Sequence, residues 1–236
     1  MAKILFFDTE TTGLPKDYRA PITDVDNWPR LAELGFILVE DGQTIETLHA
    51  IVKPDGFEIP EAAAEVHGIT QERALEEGSP IAVVMQEFKK AIDQADLIVG
   101  HNISFDRKIV GAEFMRLDFE ECPLHGKPRI CTMHTTTNFV KAPKKPNKKT
   151  GRVPKGYKWP TLQELYVKCF GKDFENAHNA MADIEATVRC YFELRKHKII
   201  DDERVFKELN QKWSEELKAY YLPKDIKFNA DAVKGF

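Results

Sequence analysis

The strongest constraint on this chain lies at its start, where the apolar run Ile4-Leu5-Phe6-Phe7 breaks directly into Asp8-Thr9-Glu10-Thr11-Thr12-Gly13. Successive large apolar residues without polar alternation read as a short buried strand, and the Thr/Gly-rich stretch reads as the turn that ends it. Side chains alternate along a strand, so Asp8 and Glu10 are expected on the same side at its end. Two like charges side by side are costly unless something positive neutralises them. A hard divalent cation with oxygen ligands meets that need, and Mg²⁺ is the usual one. The ordinary alternative is a pair of acids capping a turn.

The rest of the chain supplies the other elements. Leu34–Val39 and Glu46–Val52 read as strands joined through Asp41-Gly42, a hairpin signal. Ser79-Pro80 reads as an N-cap followed by a proline in the first helical position, opening a helix through Gln94. Leu97-Ile98-Val99 is a further strand, and a helix is expected over Phe105–Arg116. Arg129–Met133 would be the last strand. Thr161-Leu162-Gln163-Glu164 is a capping box for a helix ending at Gly171, and Ala180–Lys196 is the longest helix of the main unit. Strands first, then strands alternating with helices, argue for an α/β fold with a mixed sheet flanked by helices.

With 236 residues, the chain can hold one α/β domain and an appendage. The expected division is a main domain over 1–196 and a C-terminal helical extension over 197–236. In that extension Val205, Leu209, Trp213 and Leu217 recur at helical spacing. No apolar run reaches the roughly 18–20 residues of a membrane span, so no membrane role is expected. The N-terminal apolar stretch is too short for a signal peptide. Four scattered cysteines without a Cys-x-x-Cys pair suit a reducing, cytoplasmic setting. The net charge of -4 does not suggest a polyanionic partner. It conceals an insert, 141–158, with eight basic and no acidic side chains, which reads as an exposed loop able to meet phosphates.

Three further residues complete the chemistry. Asp106 follows His101-Asn102-Ile103-Ser104-Phe105, and Asp183 closes His178-Asn179-Ala180-Met181-Ala182-Asp183. Singly, each acid is an ordinary helix or surface residue, and His178 an ordinary capping histidine. Together with Phe7-Asp8-Thr9-Glu10-Thr11-Thr12-Gly13-Leu14, these separated motifs resemble the DEDDh (DnaQ-like) 3′–5′ exonuclease family. Val66-His67-Gly68-Ile69 is similar to a segment of relatives of the bacterial polymerase III epsilon proofreading subunit. A sister subgroup carries tyrosine four residues before the last aspartate, where this chain has Asn179. The resemblance covers about residues 3–196, and the basic insert is longer than the family core requires.

The resemblance implies a ribonuclease H-like fold, with a mixed five-stranded sheet flanked by helices. It implies two divalent ions, Mg²⁺ or Mn²⁺, ligated by Asp8, Glu10, Asp106 and Asp183, with Asp8 bridging and Asp106 acting mainly through water. His178 would be the general base for hydrolysis that releases nucleoside monophosphates. Thr11, Thr12 and Gly13 would meet the 3′-terminal nucleotide through backbone N–H groups, and Leu14 would wedge between bases. Phe105 would stack, Asn102 would reach sugar or phosphate, and His101 would contact phosphate. The expected partner is the 3′ end of a single-stranded nucleic acid, DNA ahead of RNA. The alternatives are an RNA or oligonucleotide exonuclease, or a proofreading component docked to a polymerase through Trp213, Tyr220 and Tyr221.

Overall fold

The computed structural model describes residues 2–175, 179–202 and 225–234. In chain order the elements are β1 (Lys3–Thr11), β2 (Leu31–Glu40), β3 (Gln43–Ile51), α1 (Glu61–His67), α2 (Gln71–Glu77) and α3 (Ile81–Gln94). They continue with β4 (Leu97–Gly100), α4 (Ile103–Arg116), β5 (Arg129–Cys131), α5 (Thr132–Thr135), α6 (Thr137–Val140), α7 (Leu162–Phe170) and α8 (Ala180–Lys196). The strands form one five-stranded sheet in the order β3-β2-β1-β4-β5. The β1–β2 and β2–β3 pairs are antiparallel, whereas β1–β4 and β4–β5 are parallel. This is the mixed α/β sheet the sequence suggests. The hairpin turn works because Asp41 and Gly42 both take positive φ, 51° and 77°, which matches the twist of the flanking strands.

Central strand β1 divides two cores. Ile4 and Phe6 face α7 and α8, where Phe6 meets Tyr191 edge-on at 5.4 Å between ring centres. Leu5 and Phe7 face α3 and α4, where Phe7 meets Phe88 at 4.9 Å. All four are at most 2% exposed. Truncating either phenylalanine to alanine would cost about 3–5 kcal/mol, transfer and cavity together. Continuing the alternation sends Asp8 and Glu10 toward α8, and Thr9 toward α4.

Several expectations are corrected. The polar stretch after Phe7 is not yet a turn: β1 runs on through Thr11, paired with β2 as far as Leu31. Ser79 does not cap α3, because it bridges to Val52, giving its N–H to the Ile51 carbonyl and accepting from Lys53 N. Pro80 takes the cap position instead. The last strand stops at Cys131, and Thr132 and Met133 already belong to α5. Helices α1 and α2 were not anticipated. Each has only seven residues; α1 buries none of them and α2 only Ala74, too little for an apolar stripe to show.

The helix expected over Val205–Leu217, with Trp213, Tyr220 and Tyr221, lies outside the described residues. On both sides of that segment the chain packs on the main core, with Ile200, Ile226 and Ala232 joining the α7/α8 cluster. Phe228 stacks on His197 at 4.1 Å and meets Phe170 edge-on. Buried Asp202 accepts from the Tyr191 hydroxyl and from Arg195 Nε at 2.9 Å. Among the described residues, no helix is long and apolar enough to cross a membrane.

Candidate active site

Asp8 and Glu10 stand at the end of β1 with Gly35 and Glu33 opposite them on β2. Gly35 is what lets α8 come close: a Cβ there would lie 2.7 Å from Ile184 Cδ1 and 3.3 Å from Ala180 Cβ. The start of α8 is then tied down, because Ala180 N donates to Glu33 Oε2 at 3.1 Å, while the Asn179 side chain accepts from Ala182 N. An acid at a helix N-terminus is favoured by the helix dipole. Asp183, in the first turn, is thereby delivered to the strand end. Asp8, Glu10 and Asp183 each offer a carboxylate oxygen within 4.8 Å of the others, all three half-buried.

Asp106 does not join this set of three. It sits in the first turn of α4, on the other face of β1, 3% exposed, and its Oδ1 accepts from Thr9 Oγ1 at 2.7 Å. It acts on the set through charge. Burial pushes Asp8 well above the usual carboxylate range, and Asp106 adds the largest charge effect, followed by Asp183, Glu10 and Glu33. Burial, then Asp183 and Glu33, raises Glu10 to about 8. Burial also raises Asp106 to about 7, opposed by its hydrogen bond from Thr9. Crowded hard oxygens holding protons at neutral pH are the donor set that a divalent cation takes over.

Sequence reasoning passed over Glu33 and Gly35. Glu33 is 2% exposed and spans the site's edge, accepting from Ala180 N with one oxygen and lying 2.7 Å from His49 Nε2 with the other. Its one signal was an acid inside the apolar strand Leu31–Glu40.

The expected substrate contacts divide. His101 is held within the fold: Nε2 donates to the Pro160 carbonyl at 3.0 Å, and Nδ1 lies 3.0 Å from Thr132 Oγ1. Both ring nitrogens have partners, and burial lowers its pKa to about 4. Thr12 donates its N–H to the Arg30 carbonyl, and its hydroxyl oxygen accepts from Arg30 N. Thr11 Oγ1 donates to the Gly13 carbonyl at 2.7 Å, shaping the turn. Gly13, at φ 150°, has open space where a Cβ would stand, and Leu14 is 74% exposed. Asn102 is exposed in a left-handed conformation at φ 63°, and Phe105 is partly buried against the α3/α4 core. His178 lies outside the described residues. A cleft of about 580 Å³ beside α7, lined by Lys141, Gln163 and Val167 among others, includes none of Asp8, Glu10, Asp106 and Asp183.

A mixed β3-β2-β1-β4-β5 sheet with acids gathered at one end of its central strand defines a ribonuclease H-like architecture of the nuclease kind. The chain belongs to the RNase_T family, described as exonuclease, whose model matches residues 5–191. Among curated proteins it is 29% identical over 194 residues to a PolC-type DNA polymerase III of Pediococcus pentosaceus, covering 82% of this chain and 11% of that one. It is 26% identical over 229 residues to the 3′-5′ exonuclease DinG of Staphylococcus epidermidis, covering 97% of this chain and 21% of that one. The chain thus spans only a minor part of these relatives. E. coli exonuclease I, solved in complex with a dT13 oligonucleotide, shares the fold with a TM-score of 0.63 at 21% identity, over 94% of this chain and 46% of that one.

Proposed function

We propose that this protein hydrolyses single-stranded DNA from its 3′ end, releasing nucleoside monophosphates. The observation that carries the reading is the convergence of Asp8, Glu10 and Asp183 within 4.8 Å, with Asp106 close behind. Similarity to the 3′-5′ exonuclease DinG supports the polarity, and the oligonucleotide complexes of exonuclease I support single-stranded DNA as the substrate. A zinc-bound form of the exonuclease I–DNA complex supports a metal requirement.

Asp8, Glu10 and Asp183 would hold one divalent ion, and Asp8 with Asp106 a second. When bound, such ions supply Lewis-acid activation of water and neutralise charge on the leaving oxygen. Thr9 keeps the Asp106 carboxylate turned to the strand end. Glu33 keeps α8, and with it Asp183, at a fixed height over β1. His178, five residues before Asp183, takes the proton from the attacking water, a task that suits an imidazole at neutral pH. The Gly13 N–H and the Leu14 side chain meet the terminal nucleotide. Similarity to PolC-type polymerases favours, as a second reading, the same chemistry acting as proofreading within a polymerase assembly.

The test is a time course on 5′-labelled single-stranded DNA with Mg²⁺, Mn²⁺ or EDTA. A ladder shortening from the 3′ end, silent in EDTA, is expected. Activity that survives EDTA, or release from the 5′ end alone, would sink the reading. His178→Ala should slow the reaction by about 10²–10⁴-fold, the usual worth of general acid–base catalysis.

A further inference from the structure

The loop between α6 and α7 has neither helix nor strand, yet it is built. Lys158 N donates to the Ala142 carbonyl at 3.0 Å, Asn147 N to the Arg152 carbonyl, and Lys144 Nζ to the Lys155 carbonyl. The Asn147 side chain accepts from Lys149 N and Thr150 N. Its base is pinned to the carboxylate end of the sheet. Phe6 pairs with Val99, so Asp8 and His101 each stand two residues beyond a matched pair, and His101 is the residue that holds the Pro160 carbonyl.

The charge on this loop is unspent. Lys158 is paired with Glu164, but Lys145, Lys148, Lys149, Arg152 and Lys155 are exposed and have no ion-pair partner among the described residues. Next to them Trp159 is 64% exposed, leaning on His134 at 4.9 Å with the rings 51° apart. The acids at the strand end offer a polyanion no positive charge of their own, and a positive loop beside them supplies it. Lysines and arginines answer phosphates, and an indole face answers a base.

We infer that residues 144–157, with the ring of Trp159, form a second contact zone that grips single-stranded DNA upstream of the nucleotide being removed. This rests on the exonuclease reading and deepens it. His101 then acts as the clamp that fixes the zone relative to the carboxylates.

The test is equilibrium binding of 5′-fluorescein dT4 and dT20, read by anisotropy in EDTA over a salt series, with thermal melts to show that the variants fold. Wild-type protein should bind dT20 at least about tenfold more tightly than dT4. The combined Lys145→Gln, Lys148→Gln, Lys149→Gln, Arg152→Gln variant should lose at least about tenfold in dT20 affinity at low salt, and its log–log salt slope should flatten by about 3. Trp159→Ala should weaken dT20 binding by about fivefold or more. Wild-type affinity and slope in the four-site variant would overturn the loop's role, and wild-type affinity in Trp159→Ala would overturn the stacking role. Hydrolysis of dT4 by the wild-type protein with Mg²⁺ tests the exonuclease reading separately, since failure there leaves the binding comparison intact.

Discussion

Two acidic regions of this molecule are buried in opposite ways. Glu113, 1% exposed on α4, comes with its cations attached: Oε1 accepts from Arg30 Nε at 2.9 Å and from Leu31 N at 3.0 Å, and forms an ion pair with Arg116 Nη1 at 2.8 Å. Arg116 in turn holds the Val25 and Trp28 carbonyls, so this network binds the 12–30 connection to α4. Asp8 and Glu10 have no ion-pair partner among the described residues, and their neighbours are further acids. Where a buried acid serves structure, its counter-charge is written into the chain. In the exonuclease reading proposed above, the counter-charge for Asp8 and Glu10 is left to be supplied from solution.

Four substitutions can break or sharpen this contrast. Asp8→Asn should reduce hydrolysis at least about a thousandfold, measured as initial rate under saturating Mg²⁺, because a shared metal ligand is lost. Retention of more than a tenth of the rate would remove Asp8 from the metal site. Glu113→Gln should do the reverse. Stranding Arg30 and Arg116 should cost about 3–5 kcal/mol, a fall in Tm of roughly 6–20 °C, with metal-dependent hydrolysis still present below the transition. A Glu113 variant that melts normally would show that the network is dispensable.

Glu33→Gln should fall between these extremes. It keeps the shape but weakens the anchor on Ala180 N, so kcat should drop by about 10–100-fold, the usual cost of losing a group that orients ligands. Unchanged kcat would make the Glu33 bond incidental. The smallest effect is expected from Glu10→Gln in metal-free protein. Burial, then Asp183, lifts Glu10 from 4.5 to about 8, so the folded chain keeps a proton that the unfolded chain has lost. Stability of the metal-free wild type should therefore decline as pH rises from about 4.5 to about 8 and level off above that. Glu10→Gln escapes this penalty and should melt at least about 2–4 °C higher than wild type at pH 8 in EDTA, with no gain near pH 4. Equal melting at pH 8 would mean that the acids are not in conflict.

What could be read from the sequence was local. The Asp41-Gly42 turn, the Thr161 capping box and both ends of α8 depend on contacts a few residues apart, and each is found where the pattern puts it. The alternation of Asp8 and Glu10 is equally local. Glu33 and Gly35 were out of reach because their roles arise from pairing with β1 and from α8, about 145 residues further on. The anchoring of His101 was out of reach for the same reason: its partner, the Pro160 carbonyl, is 59 residues away and carries no side-chain signature. The seven-residue α1 and α2 lacked the length for a periodicity to show.

Strand β1 also shows where register is encoded. Ile4, Leu5, Phe6 and Phe7 are buried on both faces, so sliding β1 by one residue against β2 would exchange one apolar side chain for another. Such a slip would nonetheless turn every side chain to the opposite layer. Nothing in the apolar half forbids it. The polar half does: the Thr9–Asp106 bond and the Gly35 gap under α8 fit only one alignment. The residues at the reactive end therefore also act as the vernier of the fold, and a substitution there can misalign a sheet whose greasy portion would not register the error.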